Sequence, residues 1–380
     1  MAEHQVHLAA GPFAGSTAAP PCTINGAADD CRSSVQTAPA TLAKMLTHLG
    51  RNIWAAARCA LASGAIGALP VGAKPVTSST ESTGVSTTEI EPVAHSVSVT
   101  AWRDVQIALA RAGFSSGSID GIAGAQTTKA LRAFQRSRGT AETETFDRTM
   151  GAQLFLTDPP IGEIILTAEE FAEIEPLSAT WLGKSQQRFL AFESPLEWAS
   201  ERGHAHPELI QQLNPNIDWG SVLPGTRIVV PAIARVKFPA KAARLHIQLS
   251  AHVLEARNAA GDVLAHFPVS IAAKIDKRPA GELRVTVVIP NPDYTFDPLT
   301  FPESAEGREL DRKLKLPPGP NNPVGLAWIG LDMPGYGIHG TPTPEKIGRT
   351  ESHGCFRLAN WDALTLIDLA WVGMPVIVEP

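Results

Sequence analysis

The chain has 380 residues, of which 44% are hydrophobic and 18% charged, and its formal net charge at pH 7 is −6. This composition supports folded cores, and the length predicts two or three domains. Because the chain has neither a basic excess nor a basic block, a nucleic-acid partner is not expected. The four cysteines, at positions 22, 31, 59 and 355, do not form the pattern of a disulfide scaffold, and we expect Cys355 to stay a reduced thiol.

Residues 1–100 are rich in Ala, Gly, Ser, Thr and Pro, which predicts a disordered leader and linker. Within them, Ile53–Leu69 is mostly apolar and lies between basic and small residues, an order typical of a secretory signal at about 45–73. The stretch starts far from the first residue, Arg58 interrupts it, and it is short for a stable membrane span. Two interpretations stand: an export signal read from a start at Met45, or a short amphipathic helix in the leader.

Residues 101–155 predict a small helical domain. Apolar side chains recur at helical spacing up to Gly113, and after a turn a second helix is expected with Thr127 or Thr128 as its cap. The series from Asp120 to Gln135, which reads D-G-x-x-G-x-x-T-x-x-A-L-x-x-F-Q, resembles the helical peptidoglycan-binding domain of many wall enzymes. The alternative is a generic helical spacer, and the pattern assigns no ligand-binding residue.

Residues 156–240 predict a small α+β region. Helices are expected at Phe189–Trp198 and Pro207–Leu213, followed by turns and a strand at Arg227–Val230 that Pro231 ends. This order resembles the second half of a lysin motif, a glycan-binding module, although no first strand is recognisable. A small α+β linker domain remains the alternative.

Residues 241–380 predict a mainly antiparallel β domain, because short alternating patterns are separated by frequent Pro and Gly. One helix is expected at Trp361–Leu369, with Asn360 as its cap. The predicted strands are Arg244–Leu249, Val253–Arg257, Val263–Val269, Leu283–Ile289 and Met374–Val378.

Chemistry concentrates in the stretch from Ile338 to Leu358, which reads IHGTPTPEKIGRTESHGCFRL. A thiol reacts as its thiolate, and a nearby imidazole is the usual means of forming one, so Cys355 is a candidate nucleophile. Spacing alone leaves open whether His339 or His353 is the base. Two histidines and a cysteine also suit a zinc site, but no motif supplies the partner that a catalytic zinc needs.

This stretch resembles the active-site signature of the L,D-transpeptidases, in which a histidine precedes Ser/Thr-His-Gly-Cys-x-Arg/Asn at a distance. The resemblance extends over about 240–380 and implies a β-sandwich with the cysteine at the end of a cleft. It implies Cys355 as nucleophile and His339 as base, the latter oriented by the carbonyl of Gly340. Supporting roles fall to Ser352, which bonds the turn, and to His353 and Gly354, whose N–H groups contribute an oxyanion hole. Expected substrate contacts are Arg357, Arg349 and Tyr336.

The resemblance also implies a two-step acyl transfer in the periplasm or cell envelope, with a role in wall biogenesis and cell shape. The cysteine attacks the diaminopimelate carbonyl at stem position three, releases D-alanine and forms a thioester. An amine of a neighbouring peptidoglycan stem, or of a wall-anchored lipoprotein, then takes the acyl group. No metal or organic cofactor is expected, and carbapenems are expected to acylate the same cysteine. The alternatives are an L,D-carboxypeptidase, in which water is the acceptor, and a wall-binding protein without chemistry.

Overall fold

The computed structural model describes residues 97–98, 101–143, 148–156, 158–300, 304–348 and 354–380. The predicted export segment and most of the predicted leader lie outside these ranges. The described residues all lie within one compact unit, Ser86–Pro380. No helix within the described ranges is long and apolar enough to cross a membrane.

The first part of this unit is helical, as predicted. Helix α1 ends where Gly113 adopts a φ of +88°, a conformation that glycine reaches without strain. The predicted cap of α2 is wrong, because the helix begins after Gly124 and no side chain caps it. Thr127 instead accepts a hydrogen bond from Gln106 Nε2 at 3.0 Å. The elements are β1 (Val97–Ser98), α1 (Trp102–Arg111), α2 (Ala125–Ser137), α3 (Arg148–Gln153) and β2 (Phe155–Leu156).

The second part is a two-stranded antiparallel sheet with helices between its strands. Its first strand, which the sequence did not reveal, is Ile161–Ile165, where Gly162 and Glu163 interrupt the apolar alternation. The helix predicted at Phe189–Trp198 is wrong, since Ser194 accepts from Glu197 N and starts the helix at Pro195. The elements are β3 (Ile161–Ile165), α4 (Ala168–Ala172), α5 (Trp181–Gln186), α6 (Pro195–Arg202), α7 (Pro207–Leu213) and β4 (Arg227–Pro231).

The third part contains a curled eight-stranded sheet in the order β13-β12-β11-β8-β14-β5-β6-β7, and two further strands, β9 and β10, pair with each other in a separate antiparallel sheet. Its pairs are antiparallel except β12–β13 and β14–β5. The long strand β8 pairs with β14 at its start and with β11 at its end, and it thereby joins the two halves of the sheet. The elements are β5 (Arg244–Gln248), β6 (Val253–Arg257), β7 (Val263–Pro268), β8 (Gly281–Pro290), β9 (Tyr294–Phe296), α8 (Ala305–Glu309), β10 (Leu314–Leu316), β11 (Ala327–Leu331), β12 (Gly337–His339), β13 (Phe356–Arg357), α9 (Asn360–Leu369) and β14 (Pro375–Glu379).

The fold class, a mixed α+β chain with a mainly antiparallel β domain after a helical domain, is confirmed. A buried core of aliphatic and aromatic side chains lies between the curled sheet and α9, and includes Phe267, Phe356 and Leu366. Burial of such side chains supplies most of the driving force for this packing. The core therefore fixes β12 and β13, the two short strands at the edge of the sheet that carry the predicted site.

Candidate active site

The parallel pairing of β12 with β13 assembles the site. In its register, Ile338 lies opposite Phe356 and His339 opposite Arg357. Side chains alternate along a strand, so residues 355 and 357 share a face, and the pairing places His339 beside that face. The fold thus brings His339, Cys355 and Arg357 together, although sixteen positions separate the histidine and the cysteine in the sequence.

His339 is 4% exposed, and its Nδ1 lies 2.6 Å from the carbonyl oxygen of Gly340. A carbonyl only accepts, so Nδ1 carries the proton and Nε2 of the neutral ring keeps a free lone pair. Burial lowers the pKa of His339 to about 4; the Gly340 contact opposes this shift, and the charge of Arg357 adds to it. The ring is therefore a neutral base at pH 7.

Packing holds the His339 ring in place. Trp328 stacks on it with a centroid separation of 5.6 Å and an interplanar angle of 23°. A Cβ at position 337 would lie 2.6 Å from the Trp328 ring, so only glycine lets the indole lie across the strand. The candidate base thus has both its orientation and its tautomer fixed by the chain.

Cys355 is half-buried and not part of a disulfide, and its Sγ lies 3.5 Å from the carbonyl oxygen of Gly335. Burial raises its pKa above the ordinary value, while a backbone contact to Gly337 and the positive charge of Arg357 pull the pKa down in part. The thiol of Cys355 and the imidazole of His339 are consequently both uncharged at rest. A preformed thiolate–imidazolium pair is not what this environment stabilises.

Two tyrosines lie near Cys355. Tyr336, a predicted substrate contact, packs against Gly354, the residue before Cys355. A Cβ at Gly354 would lie 3.3 Å from the Tyr336 ring. Tyr294, which the sequence did not single out, has its pKa raised by burial and by its closeness to Cys355, and lowered in part by Arg357. No local pattern marks Tyr294, because strand β9 reaches the site only through the fold.

Arg357, the other predicted substrate contact on β13, is partly buried. Its Nε is enclosed and has no hydrogen-bond partner among the described residues. Burial lowers its pKa, and the neighbouring Cys355 and Tyr294 raise it in part. A guanidinium keeps its charge under such shifts, so the site holds a fixed positive charge beside the thiol.

Asn360 connects α9 to the site. Its Oδ1 accepts from Leu326 N at 3.1 Å, and its Nδ2 donates to the carbonyl of Pro320 at 3.1 Å. A Cβ at Gly340 would collide with this amide, so Asn360 packs directly against Gly340, whose carbonyl contacts the His339 ring. The prediction that Asn360 caps α9 is wrong: it is the first residue of the helix, and its side chain is used in these tertiary contacts.

The remaining predicted residues are Arg349, Ser352 and His353, which lie outside the described residues. Their roles therefore stay predictions, as does the zinc alternative, which needs His353. Gly354 is described and lies directly before Cys355.

Comparison with known proteins identifies the domains. Residues 242–378 match the family described as "L,D-transpeptidase catalytic domain", and residues 98–150 match "Putative peptidoglycan binding domain". The protein named "Putative L,D-transpeptidase YqjB" from Bacillus subtilis is 34% identical over 30% of this chain, which spans 57% of that relative's length. The "Putative L,D-transpeptidase YkuD" of Bacillus licheniformis is 26% identical over 46% of this chain and 86% of its own.

The match to a solved L,D-transpeptidase from Xylanimonas cellulosilytica covers 73% of this chain and 92% of that chain, at 14% identity. Its TM-score is 0.31, which is too low to carry an argument. The domain matches confirm the resemblance seen in the sequence. The chain carries an L,D-transpeptidase catalytic domain, preceded by a peptidoglycan-binding domain.

Proposed function

We propose that this protein is a peptidoglycan L,D-transpeptidase that acts through a thioester on Cys355. The observation that carries the proposal is the buried His339, whose Nδ1 contacts the Gly340 carbonyl and whose Nε2 is left as a base on β12, the strand paired with β13 directly after Cys355. An acceptor nitrogen held beside a thiol is what nucleophilic catalysis requires. The domain matches supply the substrate class, the stem peptides of the cell wall.

The chemistry proceeds in two balanced steps. Sγ of Cys355 bonds to the carbonyl carbon at stem position three while Nε2 of His339 takes the thiol proton. The carbon–nitrogen bond to D-alanine then breaks, and the leaving amine receives that proton. In the second step an acceptor amine attacks the thioester and passes its proton to His339, the carbon–sulfur bond breaks, and the thiol regains a proton.

Other parts of the site support the charged states. The N–H of Gly354, with those of the neighbouring turn, is suited to the oxyanion of each tetrahedral intermediate. The positive charge of Arg357 lowers the pKa of Cys355 in part, so it stabilises the developing thiolate. The same charge can bind a carboxylate of the stem peptide. The acceptor is an amine of a second stem or of a wall-anchored protein, and the place of action is the cell envelope. Carbapenems acylate the same sulfur.

The test is to incubate the purified chain with disaccharide-tetrapeptides and to determine the masses of the products. We expect a 3→3 dimer with loss of one D-alanine, absent for Cys355→Ala. Trimmed tripeptide monomers without dimer would identify an L,D-carboxypeptidase instead. A chain that sediments with wall sacculi but yields neither product, with or without Cys355, would be a wall-binding protein only.

A further inference from the structure

A cavity of about 210 Å³ lies between the helical domain and the curled sheet, apart from His339 and Cys355. One wall is the first turn of α2, and the opposite wall is formed by the strands β6 and β7 and by Gly348. Apolar side chains of Ile122, Val253 and Pro268 complete it. The space suits one short residue of a peptide and is too small for a disaccharide.

The α2 wall is positively polarised. The helix has 13 residues, its N-cap is Gly124 without a side-chain cap, and no acidic residue lies in its first turn. The first N–H groups of such a helix lack partners within the helix and carry the positive end of its dipole. Lys129 adds a full charge to the same wall, with its Nζ 2.7 Å from the carbonyl of Ala251.

Buried polar groups without partners line the same cavity. Ser116 is 3% exposed and His266 2% exposed, and neither Ser116 Oγ nor His266 Nε2 has a hydrogen-bond partner among the described residues. A buried polar group that stays unpaired costs about 1–3 kcal/mol, so such groups indicate a ligand or ordered water. The one acid in the lining, Asp120, already accepts from Gln106 and Ile122 N with its Oδ1.

The cavity is connected to the segment that leads to the nucleophile. Gln126 in the first turn of α2 donates to the carbonyl of Ile347 at 2.6 Å. A Cβ at Gly117 or at Gly348 would collide with the Gln126 side chain, so two glycines with positive φ make room for it. Gly348 in turn donates to Ser270 Oγ at 2.9 Å, and Ser270 pairs with Arg357.

We propose that this cavity binds a free carboxylate of a peptidoglycan stem peptide, held by the first turn of α2, Lys129 and Ser116, with its short side chain against the apolar wall. The inference rests on the proposed function for the choice of substrate class. It adds a subsite that the helical domain and the catalytic domain build together. The helical domain thereby takes part in stem recognition.

The test uses the full chain with Cys355→Ala, so that binding is measured without turnover. Its probe is a disaccharide-tetrapeptide titrated by calorimetry, with the carboxyl-amidated peptide, the disaccharide alone and inorganic phosphate as further arms. We expect amidation to weaken binding at least about tenfold. Phosphate should compete, and the disaccharide alone should bind far more weakly.

The decisive variant is Gly124→Asp, whose carboxylate caps α2 and repels an anion. Position 124 has open space and a negative φ, so this change should maintain or raise the melting temperature while weakening the peptide at least about tenfold. The matched control Gly124→Asn supplies a cap of the same size without a charge, so its loss of affinity should be much smaller than that of Gly124→Asp. Lys129→Met should weaken binding, whereas Lys241→Met, which also loses a contact to main-chain carbonyls, should not.

Unchanged affinity in Gly124→Asp, equal binding of the amidated peptide, or no binding of the tetrapeptide by the parent chain would each overturn the proposal. Because these measurements do not depend on a thioester, failure of the proposed reaction at Cys355 is detected separately. If the thioester forms on Cys355 but the cavity variants bind the peptide as the parent does, the proposed function stands and the proposed subsite is wrong.

Discussion

His339 and Cys355 are both held in their uncharged forms at neutral pH. Burial lowers the pKa of His339 to about 4 and raises that of Cys355. We therefore propose that the imidazole takes the thiol proton during attack, as a general base, without an ion pair formed beforehand. This assignment follows from burial and from the Gly340 contact.

The pH dependence of D-alanine release tests this assignment. Above its pKa of about 4 the His339 ring is a competent base, so kcat/KM should be flat from about pH 5 to 8 and fall at lower pH. Alkylation of Cys355 by iodoacetamide, followed by peptide mapping, should accelerate only above about pH 9, because the thiol pKa is raised. An acid limb near pH 6.5, or alkylation already complete below pH 7, would indicate a preformed ion pair.

Asp362, which is 3% exposed and accepts from Ser115 Oγ at 2.9 Å, has its pKa raised by burial to about 8. Because folding raises the pKa of Asp362, its protonated carboxyl contributes fully to the stability of the folded chain below the pKa of the unfolded chain, near 4. This contribution is lost as the pH rises through 8. Asp362→Asn should therefore become more stable relative to the parent between pH 5 and 9, by roughly 2 kcal/mol or more. Urea unfolding at both pH values measures it; a pH-independent difference would contradict the raised pKa.

Single residues differed in how far the sequence could predict them. Cys355 and His339 belong to one contiguous motif whose residue types indicate thiol chemistry, but spacing left open whether His339 or His353 is the base, and the family resemblance supplied the choice of His339. Tyr294 and Asn360 reach the site through distant strands and a helix start, and nothing in their local sequence indicates this. Arg349, Ser352 and His353 remain predictions.

At the scale of elements, the start of α9 supports the segment that contains Gly340, whose carbonyl contacts the His339 ring. Asn360→Ala removes two hydrogen bonds and leaves Leu326 N and the Pro320 carbonyl unpaired, which should cost about 1–3 kcal/mol. Because the Asn360 amide no longer packs against Gly340, the His339 ring is held less precisely. The kcat should therefore fall about tenfold while KM changes little. Denaturation and steady-state kinetics measure the two effects.

Thr365→Val is the matched control on the same helix. Thr365 Oγ1 donates to the Trp361 carbonyl at 2.8 Å and has no contact with Gly340. This variant should lose some stability and retain its kcat. A similar loss of kcat in both variants would show that Asn360 acts only through the stability of α9.

Five of the eight strands of the curled sheet (β5, β6, β7, β8 and β14) were predicted to within one or two residues, because Pro and Gly mark their ends, whereas β11, β12 and β13 were not predicted. The strand at Ile161–Ile165 was missed because Gly162 and Glu163 hide its alternation. The helix predicted from Phe189 begins instead at Pro195, where a capping serine and a proline outweigh the preceding apolar residues. No side chain caps α2, and the Asn360 side chain bonds Leu326 and Pro320 instead of capping α9. Cap residues are therefore predicted poorly where their side chains make tertiary contacts.

At the scale of the molecule, the helical domain is joined to the sheet by backbone and charge contacts. Ser115 N donates to the His266 carbonyl at 2.8 Å, and His266 N donates to the Gly113 carbonyl at 3.0 Å. Arg136 Nη2 lies 2.5 Å from Oε1 of Glu255, which is 1% exposed. Motifs identified the domains, but no sequence pattern showed that they pack as one compact unit.

Arg136→Met tests that joint. Burial raises the pKa of Glu255, yet contacts to His266, Arg257 and Arg136 hold it at about 2, so the stabilisation is present above pH 4 and is lost as pH falls towards 2. Because Arg136 is 43% exposed, its loss should cost only about 1 kcal/mol at pH 7. Calorimetry should show one transition for the helical and catalytic domains together. Arg202→Met, which breaks the exposed pair with Glu170, is the control and should change stability by less than about 0.5 kcal/mol.

The thioester itself is the most direct test. The chain is mixed with a tetrapeptide donor that has no free amine to act as acceptor, quenched in acid, and its intact mass is measured and mapped. We predict a mass increase equal to the tripeptide acyl group, located on Cys355, with one D-alanine released per chain and with no adduct on His339→Gln. An unmodified chain that still releases D-alanine, or an adduct on any other residue, would contradict the account.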